Sequence, residues 1–296
     1  MVIRLLTYNE IDFTQWDACI ANARHSMIYA HRFYLDGMAP KWSALVMNEY
    51  EAVMPLPFNK KWGITYLYQP PFTQQLGIFG QQSVTSEIAD GFVTAIKQQY
   101  RFAEIFVNFN TGDEQPNFVL PLAQPYELIR KGYKNDLLKN LKHAEKFSLV
   151  YSPGNDAAEA IGLYIKQYAA KTPHVKEVHY ERFRQVCEVA SKNNQLLTRS
   201  VYDTAGQLLA IALLLKDNHR LYNVMSTVTP QGRHCEANHF LFDQLISEFA
   251  GNLQSLDFEG SAIPGIADFY KKFGAINEPY YFLRFNRLPW LLRRFK

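Results

Sequence analysis

The chain has 296 residues, 48% of them hydrophobic and 15% aromatic, with a formal net charge of +3. This composition excludes a disordered chain, and no run approaches the roughly eighteen uncharged apolar residues that a membrane-spanning helix needs. Three scattered cysteines, Cys19, Cys187 and Cys235, exclude a disulfide framework and imply reduced thiols in a cytoplasmic protein.

The start, Met1–Leu6, is too short in its apolar part for a secretory signal. A first helix is expected over Asp12–Ala23, where Asp12 and Gln15 resemble a capping box and Phe13, Trp16 and Ile20 share a face. Strands are expected at Trp42–Asn48, Glu51–Pro57 and Ile64–Tyr68, and Gln69-Pro70-Pro71 ends the last of them. A loop over 72–82 leads to a helix at Glu87–Tyr100, then a strand at Glu104–Asn108.

Lys131–Lys146 reads as a lysine-rich connecting helix packed by Leu137, Leu138 and Leu141. Helices follow over Asp156–Ala170 and Tyr180–Asn193, then strands at Leu196–Tyr202, Leu208–Leu215 and Arg220–Ser226, with turns at 203–206 and 217–218. A polar loop, Thr227–Glu236, precedes a helix striped by Leu241, Phe242, Leu245, Ile246 and Phe249, and the strand Gln254–Phe258 closes the unit. Each half thus reads helix, three strands, loop, helix, strand. The fold class is α/β (α+β), with two domains of mixed, mostly antiparallel sheet flanked by helices: 1–130, a connecting helix over 131–147, and 148–296. Residues 1–130 carry 9 Lys/Arg against 12 Asp/Glu, and residues 131–296 carry 22 against 16, so the second half favours anionic ligands. The basic, aromatic end, Tyr280–Lys296, reads as a final strand and a tail covering the core with Trp290; contact with an anionic membrane surface or tRNA is the alternative.

Asp257-Phe258-Glu259-Gly260-Ser261 follows the last strand, and Phe269-Tyr270-Lys271-Lys272-Phe273-Gly274 comes soon after. With Tyr133–Lys146 and the stretch Gln69–Gly77, these segments resemble the tandem-domain members of the GNAT acyltransferase superfamily, in the branch of Fem-type proteins and related bacterial acetyltransferase-like proteins. The resemblance covers most of the chain and implies a bacterial enzyme that transfers an acyl group to an amine. Bridge-forming members usually read Phe-Lys-x-x-Phe-Gly; here Tyr270 stands at the lysine position, which favours a less specific N-acyltransferase. Coenzyme A-dependent members carry Arg/Gln-x-x-Gly-x-Gly/Ala before the central helix. The matching run is Gln231-Gly232-Arg233-His234-Cys235-Glu236-Ala237, with His234 where glycine is usual.

Such chemistry needs a base for the amine, donors for the oxyanion, and an acid for the leaving thiol. Glu259 is the candidate base. Asp257 shares its strand face and reads as structural. Tyr270 is a candidate acid, and Ser261 either donates to substrate or caps the next helix. For an acyl-CoA or acetyl-CoA co-substrate, Gln231, Gly232, Arg233, His234, Ala237 and Asn238 would offer backbone N–H groups at a helix start, with Gly232 allowing close approach and Arg233 adding charge. Tyr222 and Asn223 lie on the neighbouring strand, able to hold the acyl group. Arg32, Tyr34, Gln74 and Gln75 are candidates for shaping an acceptor cleft. His234, Cys235 and His239 lack a second Cys/His pair at zinc-like spacing, so no metal is expected. The expected partner is a small-molecule, amino-sugar or peptide amine. Aminoacyl transfer from tRNA to a cell-wall precursor and a non-catalytic binding protein of the same fold are the alternatives.

Overall fold

The structure, a computed structural model, describes residues 1–260 and 263–290. Its chain forms two compact units, Met1–Gln115 with Pro279 onward, and Pro116–Glu278. The first is therefore discontinuous. The boundary expected near 130 falls instead at Gln115/Pro116, and the C-terminal strand Tyr280–Asn286 joins the first unit's sheet beside a strand at Phe102–Val107.

In the first unit, β1 (Ile3–Leu6), β2 (Trp42–Met47), β3 (Ala52–Lys61) and β4 (Ile64–Tyr68) pair in order. The short β5 (Phe79–Gly80) lies beside β3. β6 (Phe102–Val107) runs parallel to β4, and β7 (Glu114–Gln115) adds to the C-terminal strand. Helix α1 (Phe13–Ala21) is capped by the Asp12 carboxylate, which accepts the amides of Thr14 and Gln15. Short α2 (Arg32–Met38) follows, and α3 (Ser86–Gln99) buries Ala89, Phe92 and Ile96 against the sheet, as its spacing predicts. Trp290 is 76% exposed and does not cover the core as expected; among the described tail residues Leu288 is buried in a cluster with Phe102.

The second unit repeats the order. β8 (Phe118–Pro121) precedes α4 (Tyr126–Arg130) and α5 (Asn135–Ala144); α5 lies within the range expected for the connecting helix, whereas α4 precedes it. β9 (Val150–Gly154), α6 (Ala158–Tyr168), α7 (Glu177–Lys192), β10 (Leu196–Tyr202), β11 (Leu208–Lys216) and β12 (Arg220–Val228) follow. Then come α8 (Pro230–His234), α9 (Ala237–Phe249), β13 (Ser255–Asp257), α10 (Pro264–Lys272) and β14 (Ile276–Asn277). The sheet runs β14-β8-β13-β12-β11-β10-β9, and only β12·β13 is parallel. β11 is central and apolar from Leu208 to Leu215, with Leu209–Leu215 buried, so both faces are covered. Its Ala210, Ala212 and Leu214 join Leu137 and Leu141 of α5 and Leu241 and Leu245 of α9 in one core, and α6 packs on β11 and β12. In both units the strand after the helix runs parallel to the third strand, β6 to β4 and β13 to β12.

Candidate active site

β12 outruns its parallel neighbour. β13 pairs with Arg220, Leu221 and Tyr222 and stops at Asp257, whereas β12 continues to Val228. Beyond Tyr222 every second residue of β12 turns its backbone amide and carbonyl away from β11, and among the described residues no strand pairs with them. A bulge reinforces the opening: Leu213 faces Met225 and Leu214 faces Asn223, leaving Val224 as an extra residue.

The chain leaves β13 through a tight turn. Glu259 and Gly260 both adopt positive φ, +66° and +63°. A Cβ on Gly260 would lie 2.6 Å from the Pro116 carbonyl oxygen, so glycine is required there. Asp257 builds the turn: its Oδ1 accepts the Glu259 amide at 2.9 Å, and its Oδ2 accepts Arg220 Nη1 at 2.8 Å and Asn117 Nδ2 at 3.2 Å. Burial raises the Asp257 pKa, and the Arg220 guanidinium opposes that rise. Burial likewise opposes the Arg220 charge, but Asp257, Tyr222 and Glu278 outweigh it and hold the guanidinium protonated. Asp257 is thus committed to structure. The expectation that Asp257 and Glu259 share a strand face does not hold, because the positive φ breaks the alternation at Glu259.

The open edge of β12, the turn, α6 and the first turns of α9 and α10 surround a cavity of about 590 Å³. Glu259, Tyr270, Asn223 and Asn238 line it together. Tyr270 is 8% exposed and stacks on Phe258 at 4.5 Å. Burial, then the charges of Glu259 and Asp257, push its pKa well above the usual tyrosine range, so the hydroxyl keeps its proton at neutral pH. Asn223 is 4% exposed, and among the described residues its carboxamide oxygen has no hydrogen-bond partner. Ser261 lies outside the described residues.

The Gln231–Asn238 segment differs from the expected open loop. Thr229 caps a helical turn, α8, and takes the Gly232 amide on its hydroxyl and the Arg233 amide on its carbonyl. The Cys235 and Glu236 amides are bonded to Gln231 and Arg233. Gly232 serves packing: a Cβ there would lie 2.1 Å from the Leu209 carbonyl oxygen. Arg233 Nη1 donates to the Val228 carbonyl, while Gln231 and His234 are exposed away from the cavity lining. Ala237 is buried, and Asn238 alone of the segment reaches the cavity. Among the described residues, the amides of Ala237, Asn238 and His239 in the first turn of α9 have no acceptor. Glu236, just before that turn, accepts from or is bridged to His239 Nδ1 at 2.7 Å.

Tyr222 does not reach the cavity. It is fully buried, and its hydroxyl donates to Asp217 Oδ2 at 2.6 Å, at the far end of β12. In the first unit, Tyr34 is buried with its hydroxyl donating to the Phe72 carbonyl, and Arg32 pairs with Asp36 at 3.2 Å and lies over Phe13. Both serve that unit's fold. Gln75 is buried, and its side-chain amide donates to Gln74 Oε1 at 2.8 Å. Cys235 donates its thiol to the Gln231 carbonyl, and among the described residues no three His, Cys, Asp or Glu side chains come close enough to hold a metal. The cavity walls that sequence reasoning missed are Tyr164, Tyr168 and Lys171, on and just after α6. The i, i+4 spacing of the two tyrosines carries that signal, but it is shared with any packed helix face.

Residues 131–272 match the family model of the GNAT acetyltransferase domain. The structure of FemX superposes with a TM-score of 0.67 at 10% identity, covering 96% of this chain and 98% of that one. The chain has a GNAT, Fem-type fold. A protein of unknown function from Bacteroides thetaiotaomicron (TM-score 0.57, 9% identity, 93% and 98% covered) shares the GNAT-like architecture. So does the C-terminal domain of a proposed lysylphosphatidylglycerol synthetase from Agrobacterium fabrum (0.55, 11%, 95% and 93%). No curated protein matches the chain in sequence. The GNAT match supports acyl transfer as the class of reaction. Among the described residues no helix is long and apolar enough to cross a membrane.

Proposed function

We propose that the protein is an N-acyltransferase that moves an acyl group from coenzyme A to an amine within the cavity of the second unit. The observation that carries this reading is the opening of β12 away from β13, where Glu259, Tyr270 and the first turn of α9 meet one cavity. The open β12 edge would hold the acyl arm by backbone hydrogen bonds, and the amides of Ala237–His239 would meet the donor's phosphates. The amine nitrogen attacks the thioester carbonyl carbon. The C–S bond breaks as the amide bond forms, Glu259 takes the ammonium proton, and Tyr270 protonates the leaving thiolate. Ser261 remains a candidate donor to substrate.

The test is calorimetric titration with acetyl-CoA and longer acyl-CoAs, followed by thiol release in the presence of an amine panel. Binding and amine-dependent thiol release are expected. No heat of binding up to near-millimolar donor would end the reading.

Two observations favour a second reading, aminoacyl transfer from tRNA. α5 exposes Lys139 and Lys142, and the Glu236 carboxylate sits beside the α9 N-terminus, where it opposes a pyrophosphate. Affinity for tRNA that falls steeply with salt would favour it; a flat response would reject it.

A further inference from the structure

Within the cavity lining, the charges are few and separated. Among the described residues, Lys171 is the single cation there and Glu259 the single carboxylate. Lys171 is exposed at the mouth, with its ammonium 5.5 Å from the Tyr168 ring centroid. Glu259, half-buried, sits on the turn, and its charge acts on buried Tyr270. The same lining has an aromatic and aliphatic part, in which Tyr164 and Tyr168, whose rings are 5.0 Å apart, stand with Ile266 and Phe269. Tyr164 and Tyr168 also contribute to raising the Tyr270 pKa, after burial and the two carboxylates, which places them near the reacting end. Ile263 and Ile266 are large apolar side chains left 61% and 40% exposed at this wall. Exposed apolar surface concentrated around a cavity marks the place where an apolar group is bound.

We infer that the acceptor is an amine carrying an acidic group on an apolar or aromatic body, with its amine at Glu259, its body against Tyr164, Tyr168 and Ile266, and its anion at Lys171. This rests on the N-acyltransferase reading and names its acceptor class. A plain hydrophilic amine would leave the apolar wall wet and Lys171 without a counter-charge. A cationic polyamine would set a second positive charge against Lys171.

The experiment uses matched acceptors: phenylalanine and phenylalaninamide, 4-(aminomethyl)benzoate and its amide, and glycine. Thiol release from acetyl-CoA gives kcat/KM, and calorimetry gives acceptor binding without donor. An acid should exceed its matched amide by roughly threefold to tenfold, in keeping with one partly exposed ion pair. Aromatic acceptors should exceed glycine by at least about tenfold. Lys171→Glu should abolish or reverse the acid preference, and Tyr168→Ser should narrow the gap to glycine, with KM moving more than kcat. Thiol release that ignores both acid and body overturns this inference and leaves the acyl-transfer reading standing. Acceptor binding that needs Lys171 without any thiol release supports the acceptor site and ends the coenzyme A reading. Neither binding nor thiol release with any of these amines overturns both.

Discussion

Arg220 and Asp257 form a buried ion pair, Nη1 to Oδ2 at 2.8 Å, that ties the first paired residue of β12 to the last paired residue of β13. The pair closes the sheet below the cavity, and the second Asp257 oxygen fixes the turn that presents Glu259. Removing one partner leaves the other charge buried. Asp257→Ala should therefore lower the unfolding free energy by about 3–5 kcal/mol, as should Arg220→Met, measured by urea denaturation. The double variant Arg220→Met/Asp257→Leu should recover much of the loss. Strict additivity of the two single losses would show that the residues do not act as a pair.

Among the described residues no donor meets the buried carboxamide oxygen of Asn223, and an unmet acceptor costs about 1–3 kcal/mol. Asn223→Leu removes that acceptor at similar volume. The variant should melt at the same temperature as the parent or above it, while kcat/KM for acyl transfer falls at least tenfold. A parent-like kcat/KM would show that no reactant uses Asn223.

Gly232→Ala directs a methyl group to 2.1 Å from the Leu209 carbonyl oxygen. Backbone must move, at about 1–3 kcal/mol, seen as a lower midpoint in urea. Because Gly232 serves packing and its amide is held by Thr229, the folded variant should keep its affinity for the acyl donor. A stable variant with selectively weakened donor binding would return Gly232 to the role expected from sequence.

Tyr270 keeps its proton through neutral pH and lines the cavity beside Glu259. Tyr270→Phe removes only the hydroxyl and keeps the ring stacked on Phe258. kcat should fall by roughly 10²–10⁴, with little change in donor affinity or melting temperature. An unchanged kcat would assign leaving-group protonation elsewhere.

The elements with strong periodicity were legible in the sequence. β11, with eight apolar residues in succession, and α9, with Leu241, Phe242, Leu245 and Ile246 at helical spacing, occupy nearly the expected ranges. Four-residue or shorter strands such as β1, β8 and β14 carry too few residues for a period to register. The boundary near 130 differs from Gln115/Pro116 because the sheet membership of short β8, and of the seven-residue C-terminal strand, depends on partners far along the chain. At the site, Glu259, Tyr270 and Asn238 do line one cavity. Tyr222 does not, because its outlet is the polar turn at Asp217, and strand alternation alone cannot tell which face is open. The Gln231–Glu236 run looked like a phosphate loop because its polar composition conceals a Thr-capped, Pro-initiated helical turn.

The proposed direct attack by the amine needs no cysteine nucleophile, and the thiols are buried. Burial pushes Cys19 up to about 11 and Cys187 up to about 12, and also raises Cys235. Each is less than 10% exposed. A thiol whose folded pKa lies above its unfolded value of about 8.5 stabilises the fold below that value. The contribution is lost as pH rises from about 8.5 toward 11–12, because the unfolded chain gives up its proton first. At pH 8, an aromatic disulfide reagent should therefore leave the native thiols unmodified over minutes and titrate all three once the chain is unfolded. N-ethylmaleimide should not inhibit acyl transfer. Rapid native labelling with matching loss of activity would instead point to an acyl-cysteine intermediate and remove direct attack from the mechanism.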